Sequence, residues 1–442
     1  MRLSDLGATF VCLVLAAGLA RAQVFIVDAA GGAGAHFTDL PTAVAAVPDG
    51  STLRVRAGFY AGFTLTGKGL SIVGEGTVVV SLPQPLVISW VSARQRMLLK
   101  GLVLGDSFLA PVIEFVDSAG PIVVDSCTFA GTSGSATAQL RVIRCANVAL
   151  HDAAFLGSTA ASFTAPLPRV EVADSAIQLS RCDVSGNSGP TPIGQLCFVS
   201  HGMPALRAQR SRIVAVRSSF RGGWGSLGRD NLRPFGCVVP SQDGGPGIEL
   251  IASTLIALGS EIAGRNGHDE FLDFNGLVRA SNGGDALQLR GASAIVMGGA
   301  VLPGSGGNPN GLPGRTVRLD QFSSFLARPF ALPTAGHIEG IQERGQVIQF
   351  VARAAPASPL VLLLSYRAEL VPMEPLAFGS LLAFPAAVLG PFVVPSTGDF
   401  RAPFSLPVTW PLGETYFGQF VSLEPGPNTV WVSNSFPLHV NH

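Results

Sequence analysis

Apolar residues recur along this chain too regularly for a set of unrelated strands. A ten-residue template runs apolar, any, apolar, two polar or small residues, a small residue, any, apolar, any, glycine. It fits Ile122–Gly131 (IVVDSCTFAG), Val148–Gly157 (VALHDAAFLG), Ile177–Gly186 (IQLSRCDVSG), Ile213–Gly222 (IVAVRSSFRG) and Leu255–Gly264 (LIALGSEIAG). A sixth copy, Ile295–Gly304 (IVMGGAVLPG), fits after a one-residue slip against its upstream partner. Seven to nine residues before each copy lies a short apolar-x-apolar segment: Ile113/Phe115, Leu140/Val142, Val170/Val172, Leu206/Ala208, Ile248/Leu250 and Leu287/Leu289. Each unit therefore predicts strand, tight turn, strand, corner, short strand.

Alternation at period two puts the apolar positions on one face of every strand. One unit cannot bury that face, but units stacked at the ~4.8 Å strand spacing can, each slot becoming a column of like side chains. The small slot holds Cys127, Ala153, Cys182, Ser218, Ser260 and Ala300, as expected where three strand faces crowd one axis. The pattern predicts a parallel β-helix. Successive copies lie 26, 29, 36, 42 and 40 residues apart, and the added length follows the slot glycine. The long loops should therefore leave from one edge, stacked, where a solenoid usually carries its binding surface.

The entry to the repeat carries a resemblance. Phe37-Thr38-Asp39-Leu40 and Ala43-Val44-Ala45-Ala46 precede Asp49-Gly50-Ser51-Thr52-Leu53-Arg54-Val55, then Gly58-Phe59-Tyr60 and Lys68-Gly69-Leu70-Ser71-Ile72-Val73-Gly74-Glu75-Gly76. This resembles the first coil of the pectin-lyase-like right-handed parallel β-helix superfamily, over roughly residues 24 to 320. The resemblance implies a right-handed helix with a short amphipathic capping helix, and it speaks for fold rather than activity. Leu40, Ala43, Val44 and Val47 share one helical face, suited to covering open strand edges. The expected organisation is a β-helix over 23–325 and a β-sandwich-like module over 333–442. In the module, apolar runs such as 347–351, 360–364, 417–421 and 429–432 are punctuated by Pro and Gly. Its ending, Gly418-Gln419-Phe420-Val421 and Val432-Ser433-Asn434, is similar to a C-terminal module of secreted proteins of environmental bacteria.

The N-terminus changes the picture of compartment. Arg2, an apolar stretch from Phe10 to Leu19, and Ala20-Arg21-Ala22 have the layout of a cleaved signal peptide over 1–22. The expected mature chain is secreted or surface-attached, begins near Gln23 and has lost Cys12. Composition narrows the partners. Basic and acidic residues balance at 29 each and only 13% of residues are charged, so nothing favours nucleic acid or anionic lipid. Fifty-three Gly and 32 Pro disfavour long helices. The uncharged stretch 375–395 is interrupted by Pro385 and Pro391, which reads as strands and turns and not as a membrane span.

Five cysteines remain in the mature chain. Cys197 and Cys237 stand about one coil apart, close enough for a disulfide if the loops stack. Cys127 and Cys182 share the small slot two coils apart, and Cys145 is left as the odd thiol. The acidic loop residues Asp269, Glu270 and Asp273, with Asp285, suit a Ca²⁺ ion, which takes oxygen ligands in flexible geometry. Members of the resembling superfamily that are lyases use such a cation together with a base, and Arg265 or Arg279 is placed to serve. Asp183 and Glu261 lie on different coils, and the paired Asp, Gly-His-Gly and Arg-x-Lys motifs expected of polygalacturonase-like hydrolases are missing. Trp224, Tyr60 and Phe235 are aromatic candidates for a sugar ring, with Trp224 in a glycine-rich loop foremost, or else folded back as a core for that loop. The residues favour a non-catalytic protein binding glycan or matrix. The alternatives are a Ca²⁺-dependent polysaccharide lyase and a structural spacer.

Overall fold

The computed structural model describes residues 23–81, 86–105, 113–130, 138–156, 167–189, 199–227, 229–232, 237–239, 241–273, 276–278, 280–328, 335–339, 342, 344–354, 356–365, 370–372, 377–378, 380–382, 387–410, 415–423, 430–433 and 436–440. The signal-like segment, Cys197, Phe235 and Arg279 lie outside them. Two compact units emerge, one spanning Phe25–Pro333 and the other holding Thr334–His442.

The first unit is a parallel β-helix, wound in the right-handed sense that parallel crossovers take. Three stacks of parallel strands enclose its core. Stack A is a nine-stranded sheet running from Thr64–Thr66 to Val317–Leu319. Stack B holds the template's first strands, Ile122–Asp125 to Ser324–Arg328, and stack C its second, Thr128–Ala130 to Ala300–Leu302. Val148 lies opposite both Ile122 and Ile177, and Ile177 opposite Ile213, as the column argument requires. These residues are buried in one continuous cluster with Phe115, Phe129, Phe155 and Phe220. Phe129 and Phe155 stack face to face at 4.2 Å, so the columns are packed as well as aligned.

The helix α1, Leu40–Ala46, closes the N-terminal end. Asp39 caps it by accepting from the Thr42 N–H at 2.9 Å, Pro41 occupies its first turn, and Leu40, Ala43 and Val44 are buried. Lys68 answers at the other end, its Nζ donating to the carbonyls of Val44 and Val47 at 2.9 and 2.8 Å.

The sixth template copy needs correction. Leu255 lies opposite Ala294, not Ile295, and Glu261 opposite Ala300. The small slot therefore falls to Gly299, where a Cβ would stand 2.2 Å from the Ser260 carbonyl. Ala300 is exposed. The reason for the small slot also differs from axis crowding. Each slot residue follows a residue of positive φ (Ser126 54°, Asp152 50°, Arg181 54°, Arg217 47°, Gly259 57°), a left-handed turn that swings the next side chain inward. There its hydroxyl accepts the previous coil's backbone N–H: Cys182 N donates to Ser218 Oγ and Ser218 N to Ser260 Oγ, both at 3.1 Å. A second such column follows stack A, built on Asp117, Arg144, Asp174, Arg210 and Ala252, all with positive φ. It holds Ser118, Cys145, Ser175, Ser211 and Ser253, joined by the same ladder at 2.9–3.1 Å between Cys145 and Ser253. Cys127, Cys145 and Cys182 are all free, buried thiols.

Charge alternates coil by coil on the outside of stack A. Glu114 and Asp117 are followed by Arg141 and Arg144, then Glu171 and Asp174, then Arg207 and Arg210. Arg141 bridges Glu114 at 2.6 Å and Glu171 at 3.2 Å, and Arg207 reaches Glu249 at 2.7 Å. Asp117 pairs with Arg144, and Asp174 with Arg210 through two bonds of 2.6 and 2.7 Å. In-register parallel stacking would otherwise place like charges one strand spacing apart.

The second unit packs a three-stranded antiparallel sheet (Ala335–Glu339, Val347–Arg353, Asp399–Ser405) and a larger, mostly antiparallel sheet centred on Pro359–Ser365 and Thr415–Leu423 about one core of Phe350, Leu362, Phe400 and Phe420. It is sandwich-like.

Candidate functional site

The loops leave and re-enter the β-helix on paired arms, and these arms build the edge. Outbound segments 186–189, 222–226, 264–268 and 304–307 each lie beside a return segment: 200–203, 242–245, 281–284 and 311–314. One row of backbone hydrogen bonds crosses all eight. Met203 N donates to Asn187 O, Gly223 to Met203, Gly245 to Gly223, Arg265 to Gly245, Gly284 to Arg265, Gly304 to Gly284 and Gly314 to Gly304, at 2.7–3.0 Å. Other N–H groups bond coil to coil, for example Gly222 to Ala263 O at 3.0 Å and Gly244 to Asn282 O at 3.0 Å. The arms thus form two hydrogen-bonded layers that reach main-chain contact distance where glycines face other backbone. A Cβ on Gly223 would stand 2.0 Å from Asn187 O, on Gly264 2.0 Å from Gly284 O, and on Gly202 1.9 Å from Gly223 O. The glycines that read as loop punctuation are a packed slab.

Beyond the slab, two hairpins project: Arg229–Leu232 with Cys237–Val239, and Phe271–Asp273 with Gly276–Val278. They lie side by side, the first strand of one against the second of the other, so the long loops do stack.

Trp224 sits on the second outbound arm, half-buried. The Arg265 guanidinium lies 4.2 Å from its ring centre, and His268 stacks on it at 5.1 Å with planes 21° apart. His268 is held in turn by the Gly225 carbonyl, 2.7 Å from Nε2, and by its own N–H donating to Ser281 Oγ at 2.8 Å. The ring therefore packs on side chains of the next coil's arm and not on its own loop. Arg265 has a buried Nε without a hydrogen-bond partner, and no carboxylate among the described residues pairs with it. Half-burial, and then the charge of Arg221, hold its pKa below the ordinary guanidinium value. Arg221 itself pairs with Glu261 at 3.4 Å.

The remaining candidates are placed as follows. Asp269 is exposed and its Oδ1 accepts the Asn308 N–H at 2.8 Å. Asp285 is buried, accepts the Arg315 N–H at 2.8 Å and pairs with Arg318 at 2.8 Å. Both carboxylates terminate backbone donors of the next coil, as Asp243 does for Asn282 N at 3.0 Å and Asn282 for Leu312 N at 2.8 Å. Glu270 is exposed on the same arm, and Asp273 lies on the hairpin strand Phe271–Asp273. Among the described residues no group of three or more His, Cys, Asp or Glu gathers around one point. Tyr60 is not available to a ligand: it is buried, its hydroxyl donating to Arg56 O at 2.8 Å and accepting from Ala29 N at 3.1 Å. Cys237 lies on a hairpin strand, whereas its expected partner falls outside the described residues. No described helix is long and apolar enough to cross a membrane.

No family model matches the chain, and no curated protein does. Among solved structures it matches the crystal structure of pectate lyase Pel9A, at 12% identity and a TM-score of 0.27, covering 66% of this chain and 80% of that one. A likeness at that level bears no weight for function.

Proposed function

We propose that this is an exported, non-catalytic β-helix protein that holds an extended acidic glycan along its arm-bearing edge. The observation that carries the proposal is Arg265, a half-buried guanidinium laid on Trp224 with no carboxylate partner among the described residues. A partly desolvated cation gains most from an anion that reaches it, through charge-assisted hydrogen bonds. The glycine slab fixes the Arg265 backbone from both sides, so little ordering is left to binding. Trp224 acts as the platform beneath the guanidinium and not as the surface for a sugar ring. Calorimetry of the mature protein with an oligouronate and with a neutral oligosaccharide tests this. Binding confined to the acidic ligand and weakened at least about tenfold by Arg265→Gln is expected, the loss of one charge-assisted contact. Equal binding of both ligands, or an unaltered Arg265→Gln variant, refutes it.

The lowered proton affinity of Arg265 also favours a second reading, a Ca²⁺-dependent lyase with Arg265 as base. Ultraviolet absorbance growth on polyuronate, abolished by chelator, is the result that would replace the first reading with this one.

A further inference from the structure

The turn that follows stack A carries a charge ladder of its own. Its left-handed residues Asp117, Arg144, Asp174, Arg210 and Ala252 follow strand ends that lie opposite one another, so they stack coil on coil. Each Arg grips the Asp of the coil before it side-on, through Nε and Nη2. Arg144 holds Asp117 in this way, and Arg210 holds Asp174 at 2.6 and 2.7 Å. Acid and base alternate as far as Arg210, where an acid is due next. The chain supplies Ala252. On the strand face beside it the alternation continues, since Arg207 is followed by Glu249. The acid is missing from the turn ladder at this rung and present in the strand ladder of the same coil.

Arg210 is left with an unused donor. Its Nη1, on the far edge of the guanidinium from Asp174, donates to no described group, and the side chain is more than half exposed. Asp117 and then Asp174 raise the pKa of Arg144 above the ordinary guanidinium value, whereas among the described residues Asp174 alone does so for Arg210. Alanine is also a poor choice for the backbone. At φ 47° Ala252 sits in a region that Asp tolerates better, and Asp would have continued the ladder. There is room at the empty rung. An open groove of about 620 Å³ crosses these coils, lined by Arg144, Asp174, Arg210 and Ala252 together with Ala146 and Thr254. That volume suits a small molecule.

We infer that this groove binds a small carboxylate-bearing molecule, whose carboxylate takes the place of the missing acid beside Ala252 and accepts from Arg210 Nη1. The exposed Thr254 offers a hydroxyl to a second polar group of the same ligand. The site lies on the turn after stack A and does not depend on the Arg265 reading.

Saturation-transfer NMR on the full mature protein at low ionic strength tests this, with succinate and its uncharged diamide, succinamide, as probes. Succinate is expected to bind and succinamide is not. Ala252→Asp fills the rung with the chain's own carboxylate and should weaken succinate at least about fivefold, the worth of one partly exposed ion pair. Arg265→Gln should leave succinate binding unchanged, which separates this groove from the arm edge. Failure of succinate to bind the wild type, equal binding of the two probes, or equal succinate affinity in wild type and Ala252→Asp overturns the inference. So does a loss of binding that follows Arg265→Gln in place of Ala252→Asp. Should Ala252→Asp fail to fold, Arg210→Gln takes its place with the same expected loss.

Discussion

Reversing one charge in the alternating ladder gives a quantitative test of why these coils stack in register. Arg141 sits between Glu114 and Glu171, 2.6 and 3.2 Å away, with about a third of its side chain exposed. Partly exposed pairs of this kind contribute about 0.2–1 kcal/mol each. Arg141→Gln, which removes both attractions, should therefore destabilise by roughly 1 kcal/mol. Arg141→Glu adds two repulsions at the strand spacing of ~4.8 Å, each at most about 0.9 kcal/mol in a water-like dielectric. Its total should reach roughly 2–3 kcal/mol. The triple variant Glu114→Arg/Arg141→Glu/Glu171→Arg restores both attractions and leaves one new clash, between position 171 and Arg207 opposite it. It should return to within about 1 kcal/mol of wild type. Urea rather than guanidinium chloride is the denaturant, since the latter screens the term being measured. The gap between the Gln and Glu variants should narrow in molar salt. Equal midpoints for Arg141→Gln and Arg141→Glu at low salt would show that the alternation has no electrostatic content.

Three further outcomes follow from the structure. Gly223→Ala should lower stability by about 3 kcal/mol or more, because its Cβ would meet the Asn187 carbonyl at 2.0 Å and the slab cannot yield; a thermal midpoint matching wild type would contradict the close packing. His151 is buried with its pKa pulled down to about 4, by burial against the opposing charges of Asp125 and Asp152 and alongside Arg181 and Lys100. The unfolded chain therefore takes up the proton first, so stability should fall as pH drops from about 6.5 to 4, by up to roughly 3 kcal/mol, and His151→Asn should flatten that slope in urea melts. Burial pushes the Cys127 and Cys182 thiols up to about 12, so neither should react with a disulfide reagent at pH 8 until the protein is unfolded, which a colorimetric thiol assay reads directly.

The coil architecture was legible because burial dictates it: the residues facing the axis must be apolar, and their period-two spacing survives every change in loop length. Val148, Ile122 and Ile177 could be aligned from sequence for that reason. The slip at Ala294 was harder, since Ile295 is the stronger hydrophobe and only the register shows it facing outward. The charge alternation was present in plain view in the residues following Ile113, Leu140, Val170 and Leu206, but its period is two coils, longer than any local pattern. The arm glycines were hidden for a different reason. A glycine needed for a turn and one needed for main-chain contact look alike until the facing segment is known. The backbone role of the acidic loop was hidden similarly: Asp269 and Asp285 accept backbone N–H groups of the following coil, and those donors become neighbours only after folding. Arg265 was singled out from its loop position, yet its contact with Trp224 spans two coils and has no sequence signature.

The arms also explain how loop lengths can differ so much between adjacent coils. Two of the pairs are pinned near their outer ends, Gln242 N to Ser226 O at 2.9 Å and Ser281 N to His268 O at 3.0 Å, so a change of length beyond those pins need not disturb the winding of the coils. An insert of different length between Ser226 and Gln242 should therefore leave the coils' thermal midpoint unchanged, which makes that interval the place to graft a new recognition element.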